Sequence, residues 1–239
     1  GRPRKHPHMG ARDENGQWGY VHDPTYLQNN PLNFNFIPPD ANNTSICNDP
    51  LGMGDEGPHG IYGLSKIRVA SNPPPSSRKK VLCIIFTHSN RHHILEAVAE
   101  TFGPRCDGFV GASNMTNRTI GAVDIPHMGE ESYGNIWQKV RSIWAYVFDH
   151  YLNDYDFFYI NGDNSYVVAD NLIHACQNLS VTKPVYTGHA LILPQVQYRY
   201  CGGGGGYMMN RVVLQRLVGV LFERQECNPD RIGPDEDRL

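Results

Sequence analysis

Six consecutive apolar residues, Val81, Leu82, Cys83, Ile84, Ile85 and Phe86, follow the basic pair Lys79 and Lys80. A strand with one wet face alternates apolar and polar residues. An unbroken apolar run of this length fits a buried parallel strand, covered on both faces. Helices supply that cover, and their spacing follows directly. Ile94, Leu95, Val98 and Phe102 recur at helical intervals until Gly103 and Pro104 stop the helix. A second strand is predicted at 108–112. The strongest helical pattern spans 132–150, where Ile136, Trp137, Val140, Ile143, Trp144, Val147 and Phe148 form one stripe. Further strands are predicted at 156–160 and 184–189, and a helix at 166–178. Asn210 is a natural N-cap for a last helix with Leu214, Leu217, Val218 and Leu221 inward. Strands alternating with helices imply an α/β domain with a mostly parallel sheet flanked by helices. Ligands of such sheets bind beyond the carboxyl ends of the strands, here the loops at 87–91 and 161–165.

Residues 1–79 have a different composition. Eleven of the 17 prolines fall there, with many Asn and Gly and little periodicity. The expectation is an irregular extension over 1–79, closing in a linker at 71–80, followed by one domain over 80–239. Lys+Arg 21 against Asp+Glu 24 leaves a net charge of -3, so nothing points to nucleic acid. No apolar run of ~18 residues is present to span a bilayer. The chain does not begin with Met, so it is expected to be trimmed, with any membrane anchor in a segment absent from it. The six cysteines, 47, 83, 106, 176, 201 and 227, lack zinc-ligand spacing. Disulfides and buried thiols both remain open. N-x-[ST] triplets at Asn42, Asn43, Asn114, Asn117 and Asn178 favour a secretory lumen.

Four segments bear chemistry. At 159–168 an apolar strand ends in the turn Gly162, Asp163, Asn164 and passes into a helix. A carboxylate there projects into the ligand crevice, where a divalent cation would bridge two phosphates; the alternative is an Asx-turn. At 200–207, Tyr200-Cys-Gly-Gly-Gly-Gly-Gly-Tyr207 lacks the Gly-Lys-Ser/Thr of a P-loop. Asn135 and Lys139 lie four apart on the long helix and share a face. Asp235, Glu236 and Asp237 offer carboxylates near the end, as a proton acceptor or as a solvated terminus.

In collinear order over about 80–239, these segments resemble glycosyltransferase family 31, in its core 1 β1,3-galactosyltransferase branch. That family has three aspartates and then Thr-Tyr-Val; here Gly162, Asp163 and Asn164 are followed by Ser165, Tyr166 and Val167. Only the middle acidic position keeps its carboxylate, and Asn164 replaces the main metal ligand with a neutral amide oxygen. Asn135-Ile-Trp-Gln-Lys139 resembles Asn-Leu-Trp-Gly-Lys. Gly203, Gly204, Gly205, Gly206 and Tyr207 resemble Gly-Gly-Ala-Gly-Tyr, with Gly205 in place of Ala.

The resemblance implies a GT-A-type fold, incomplete at its C-terminus, and Mn²⁺ held by Asp163 and Asn164. It implies nucleotide-sugar contacts from Thr87, Asn135, Lys139, Gly162 and Asp163. Gly203 to Tyr207 would approach donor sugar or acceptor. Asp237 would be the catalytic base, with Glu236 second, and a metal-binding His lies further along in the family. Cys83 and Cys106 are implied as a disulfide. The implied reaction moves galactose from UDP-galactose to the 3-hydroxyl of an O-linked N-acetylgalactosamine on a glycoprotein, with inversion. The implied setting is the Golgi lumen, as a single-pass type II membrane protein in full length. Two alternatives stand beside it: an inactive lumenal binding or chaperone-like relative, and the same chemistry with UDP-GlcNAc or UDP-glucose.

Overall fold

A computed structural model describes residues 70–193 and 198–234. Residues 1–69, with most of the expected N-terminal extension, lie outside that range, as do Asp235, Glu236 and Asp237.

The apolar run forms strand β1, Val81–Phe86. It lies between β2, Gly108–Ser113, and β4, Phe157–Gly162, parallel to both. Successive side chains explain why no polar residue interrupts it. Leu82 and Ile84 pack in one core, while Val81, Cys83 and Ile85 pack in the other. Helix α1, His92–Glu100, and helix α3, Ala169–Gln177, cover the second face through Leu95, Val98, Ala99, Ala169, Ile173 and Cys176. Helix α2, Ile136–Tyr151, and helix α4, Arg211–Arg216, cover the first. Cys83 and Cys106 form a disulfide with Cα atoms 6.2 Å apart, tying the turn after α1 back to β1.

The sheet has six strands in the order β3-β2-β1-β4-β8-β5, with β3 at Ala122–Asp124, β5 at Tyr186–Gly188 and β8 at Tyr207–Asn210. Only β8 runs antiparallel to its neighbours, so the sheet is mixed but mostly parallel. A separate hairpin joins β6, Ala190–Leu193, to β7, Tyr198–Cys201. The chain builds outward from β1 through β2 to β3, then crosses to β4 on the other side of β1. Strand order therefore reverses between β1 and β4, and their carboxyl ends open a crevice there.

Three expectations change. Residues 207–210 lead into α4 not as a loop but as a strand, because Tyr207 and Met209 pack into one core and Met208 into the other. Asn210 does cap α4, accepting from Val213 N at 3.2 Å. The predicted helix at 166–178 begins three residues late: Tyr166 stands edge-on to Phe102, with centroids 5.3 Å apart, and Val167 turns into the core. Helix α2 is buried beyond its apolar stripe, with Gln138, Lys139, Arg141 and Ser142 also inside. The chain after α4 supplies the second cover. Gln138 Nε2 donates to the carbonyls of Pro229 (2.6 Å) and Arg231 (2.8 Å), and Trp137 Nε1 donates to that of Asn228 (3.2 Å). Among the described residues no helix is long and apolar enough to cross a membrane.

Candidate active site

The register of β1 with β4 sets the site, because Phe86 pairs with Gly162 and the next residues, Thr87 and Asp163, emerge side by side. Asp163 N donates to the Phe86 carbonyl at 3.2 Å, carrying the ladder one step past the strands. Thr87 Oγ1 then donates to Asp163 Oδ2 at 2.6 Å. The chain after Thr87 folds into a short 3₁₀ turn, Ser89–Arg91, whose first free amide, Asn90 N, is capped by the His88 ring. That turn aims Arg91 back at the same carboxylate. Its Nε lies 2.9 Å from Oδ2 and its Nη2 2.8 Å from Oδ1, a bidentate pair. The hydrogen bond to Asp163 raises the Arg91 pKa further above its usual range.

From the other wall, α2 delivers Lys139. Its ammonium donates to the Thr87 carbonyl and to Glu131 Oε1. The other Glu131 oxygen meets His127 Nε2 at 3.0 Å. Burial would raise the Glu131 carboxyl, but His127 and Lys139 outweigh it and bring it down to about 2. Burial lowers the pKa of Lys139, with the Glu131 charge opposing that effect. Asp124, near the same group, is raised by burial and by the Glu131 charge.

These groups surround a cleft of about 340 Å³ whose lining includes Thr87, Arg91, Glu131, Lys139, Asp163 and Asn164. Gly162 also borders it. The cleft offers two cations, each paired with a carboxylate, and a hydroxyl, and apolar Phe86 and Ile136 also line it. That combination suits a phosphorylated ligand carrying a flat or sugar moiety.

Asn135 stands back from the cleft. It is buried, and its amide donates to the carbonyls of Met128 (2.7 Å) and Glu130 (3.0 Å). Its place is to hold the loop that carries His127 and Glu131. Tyr207 is also a core residue, its hydroxyl accepting from Trp144 Nε1 at 3.2 Å, so it is not a mobile loop contact. The glycine run forms a tight turn at Gly203–Gly205. Gly206 has φ +74°, and a Cβ there would lie 2.2 Å from the Tyr159 hydroxyl, so only glycine fits. Ser165 Oγ donates to the Gly204 carbonyl at 3.0 Å, and Tyr159 donates to that of Gly205 at 2.9 Å. The turn after β4 and the glycine turn are thus joined. Gly205, Gly206 and Tyr207 border a second cavity of about 400 Å³ with Thr187, Gly188 and His189.

The donor set does not form a divalent-cation site as arranged. One carboxylate often suffices for such a cation beside phosphates, but both oxygens of Asp163 are engaged by Arg91 and Thr87. Asn164 is exposed and neutral. Among the described residues, no three of His, Cys, Asp and Glu gather as a possible metal site. Arg91, His127 and Glu131 escaped the sequence reading. Arg91 lay within the flagged 87–91 loop, but its pairing with Asp163 is tertiary; Glu131 gave no signal of its own.

No family model matches the chain. Among curated proteins it is similar to glycoprotein-N-acetylgalactosamine 3-beta-galactosyltransferase 1 of Xenopus laevis, 28% identical over 144 residues, 60% of this chain and 39% of that one. It is similar to the chondroitin sulfate glucuronyltransferase of Homo sapiens, 39% identical over 91 residues, 36% of this chain and 11% of that one. It is also similar to chondroitin sulfate synthase 3 of Mus musculus, 30% identical over 87 residues, 33% of this chain and 10% of that one. The chain thus spans well under two thirds of the length of each relative. The resemblance to the core 1 β1,3-galactosyltransferases holds in this comparison, over more of the chain than the two chondroitin relatives cover.

Proposed function

We propose that the chain is the nucleotide-sugar domain of a glycosyltransferase of the core 1 β1,3-galactosyltransferase type, with a GT-A-type fold. The observation that carries this is the cleft at the β1–β4 reversal, where Thr87, Arg91 and Lys139 meet Asp163. The similarity to a named galactosyltransferase supports the donor class.

In this reading UDP-galactose lies in the cleft with its diphosphate toward Thr87 and Lys139. The acceptor is the 3-hydroxyl of an O-linked N-acetylgalactosamine. Its oxygen bonds to the anomeric carbon from the side opposite the diphosphate. The bond from that carbon to the phosphate oxygen breaks, and its electron pair leaves with UDP. The hydroxyl proton passes to a carboxylate, Asp237 or, second, Glu236. Gly204 and Gly205, exposed beside the turn at 163–165, are the part of the glycine run open to donor sugar or acceptor. No step runs through Mn²⁺, since the residues at 162–164 do not fit it. A secretory-pathway lumen, with the Golgi as the proposed site, is the setting of this reading, and the Cys83–Cys106 disulfide agrees with an oxidising lumen. Exposed Asn114 and Asn178 in N-x-[ST] triplets agree with it.

One feature favours a second reading. An Asp163 neutralised by Arg91 beside a neutral Asn164 also suits a relative that binds without transferring. Incubating the full-length protein with radiolabelled UDP-galactose and an aryl α-N-acetylgalactosaminide separates the two. The enzyme reading expects labelled disaccharide, lost in Asp237→Asn. Tight UDP-galactose binding with no product from it, UDP-GlcNAc or UDP-glucose would establish the binding-only relative.

A further inference from the structure

The reaction class proposed above places a doubly phosphorylated leaving group in the cleft, and its charge must be met. We propose that Arg91, held by Asp163, takes the position and the work of the divalent cation, so that this chain grips a nucleoside diphosphate without metal. The inference rests on the nucleotide-sugar reading and departs from the resemblance that suggested it.

Four observations carry it. The Asp163 carboxylate receives two guanidinium nitrogens and the Thr87 hydroxyl, so a divalent cation arriving there must break a bidentate pair and then sit beside the positive charge it displaced. Both residues line the cleft, and the Arg91 side chain is 41% exposed while that of Asp163 is 9% exposed, so the cation is the more accessible partner of the pair. The Asp163 contacts use Nε and Nη2, and Nη1 makes none of them. A planar guanidinium anchored along one edge presents its other edge as a fork that matches phosphate oxygens. Finally, Thr87 links both cations: its hydroxyl holds the carboxylate that orients Arg91, and its carbonyl accepts from Lys139 on the opposite wall. Two of the three ammonium hydrogens of Lys139 are committed, to Thr87 and Glu131. A diphosphate between the walls meets a guanidinium on one side and an ammonium on the other.

Net charge does not favour the exchange, so orientation must carry it. Mn²⁺ beside Asp163 would present one net positive charge, whereas the Arg91–Asp163 pair presents none. Lys139 with Glu131 is likewise balanced, so the site gains from orientation and from donors already aimed rather than from excess charge. Asp163 acts here as a positioning residue, and Arg91 as the ligand-contacting one.

Calorimetric titration of the purified full-length protein with uridine diphosphate tests this, first in EDTA and then in Mn²⁺. The expectation is binding in EDTA, with Kd changed by less than about threefold on adding Mn²⁺. Arg91→Ala, checked for an unchanged melting profile, is expected to weaken binding in EDTA by about tenfold or more. If that variant misfolds, Arg91→Lys serves, keeping the charge and losing the fork, with a smaller but definite loss. Binding that tightens by more than about threefold with Mn²⁺ would overturn the inference while leaving the nucleotide-sugar reading intact. Metal-free binding that Arg91→Ala weakens by less than about tenfold, or that Arg91→Lys leaves unchanged, would overturn it equally. Absence of binding in both buffers would remove the nucleotide-sugar reading as well.

Discussion

At the scale of single residues, the site is a chain of charges in which each group fixes the next. Glu131 is the clearest case. A free carboxyl of its kind titrates near 4.5, and in the fold His127 and Lys139 hold it near 2 against the effect of burial. A carboxyl depressed by folding contributes stability that is complete above the unfolded value and is lost as the pH falls through the folded one. The window is therefore pH 4.5 down to 2. Urea unfolding at pH 6 and pH 3.5, with Glu131→Gln as reference, isolates this group from the other carboxylates. The native chain is expected to lose about 1 kcal/mol more than the variant over that interval. Equal losses would mean that the His127–Glu131–Lys139 chain is not formed in solution. None of this was legible in the sequence. Glu131 sits next to Glu130 in a polar loop, and only the fold brings Lys139 from α2 against it.

At the scale of elements, the disulfide makes the simplest claim. Cys83 sits in the central strand and Cys106 follows α1, closing a loop with a sequence separation of 23. Chain entropy for a loop of that size gives about 3 kcal/mol of stabilisation. Cys83→Ala with Cys106→Ala is expected to lower the urea midpoint accordingly, with α/β circular dichroism retained. An unchanged midpoint would remove the bond from the account. The same strand shows what a sequence pattern can carry. β1 was legible because both its faces are buried, and a doubly buried strand cannot hide its composition. β8 was not, because 207–210 is only four residues long and sits directly before a well-capped helix, so the sequence runs from the glycine run to the cap with no room for a strand pattern. β3, three residues at the sheet edge, was too short to leave any pattern. The helix α3 starts later than its pattern predicts because Tyr166 packs edge-on against Phe102, a contact between segments 64 residues apart (166 minus 102) that no local rule contains.

At the scale of the whole molecule, topology decides where chemistry happens. The strand-helix alternation in the sequence was enough to point to a crevice at the carboxyl ends of β1 and β4, and the strand order does reverse between them. The turn Gly162, Asp163, Asn164 was likewise legible as a border of that crevice. Its chemistry was not, because a carboxylate in a sequence does not show which cation neutralises it, and the answer here is Arg91 from the neighbouring loop. The central claim is that a nucleotide sugar is held in this cleft rather than in the cavity bordered by Thr187, His189 and Gly206. Hydrogen exchange of the backbone amides, with and without saturating UDP-galactose, tests it most directly. The account predicts slower exchange in peptides covering 87–91 and 163–165 and little change across 187–190. Protection confined to 187–190, or no protection at either place, would contradict it.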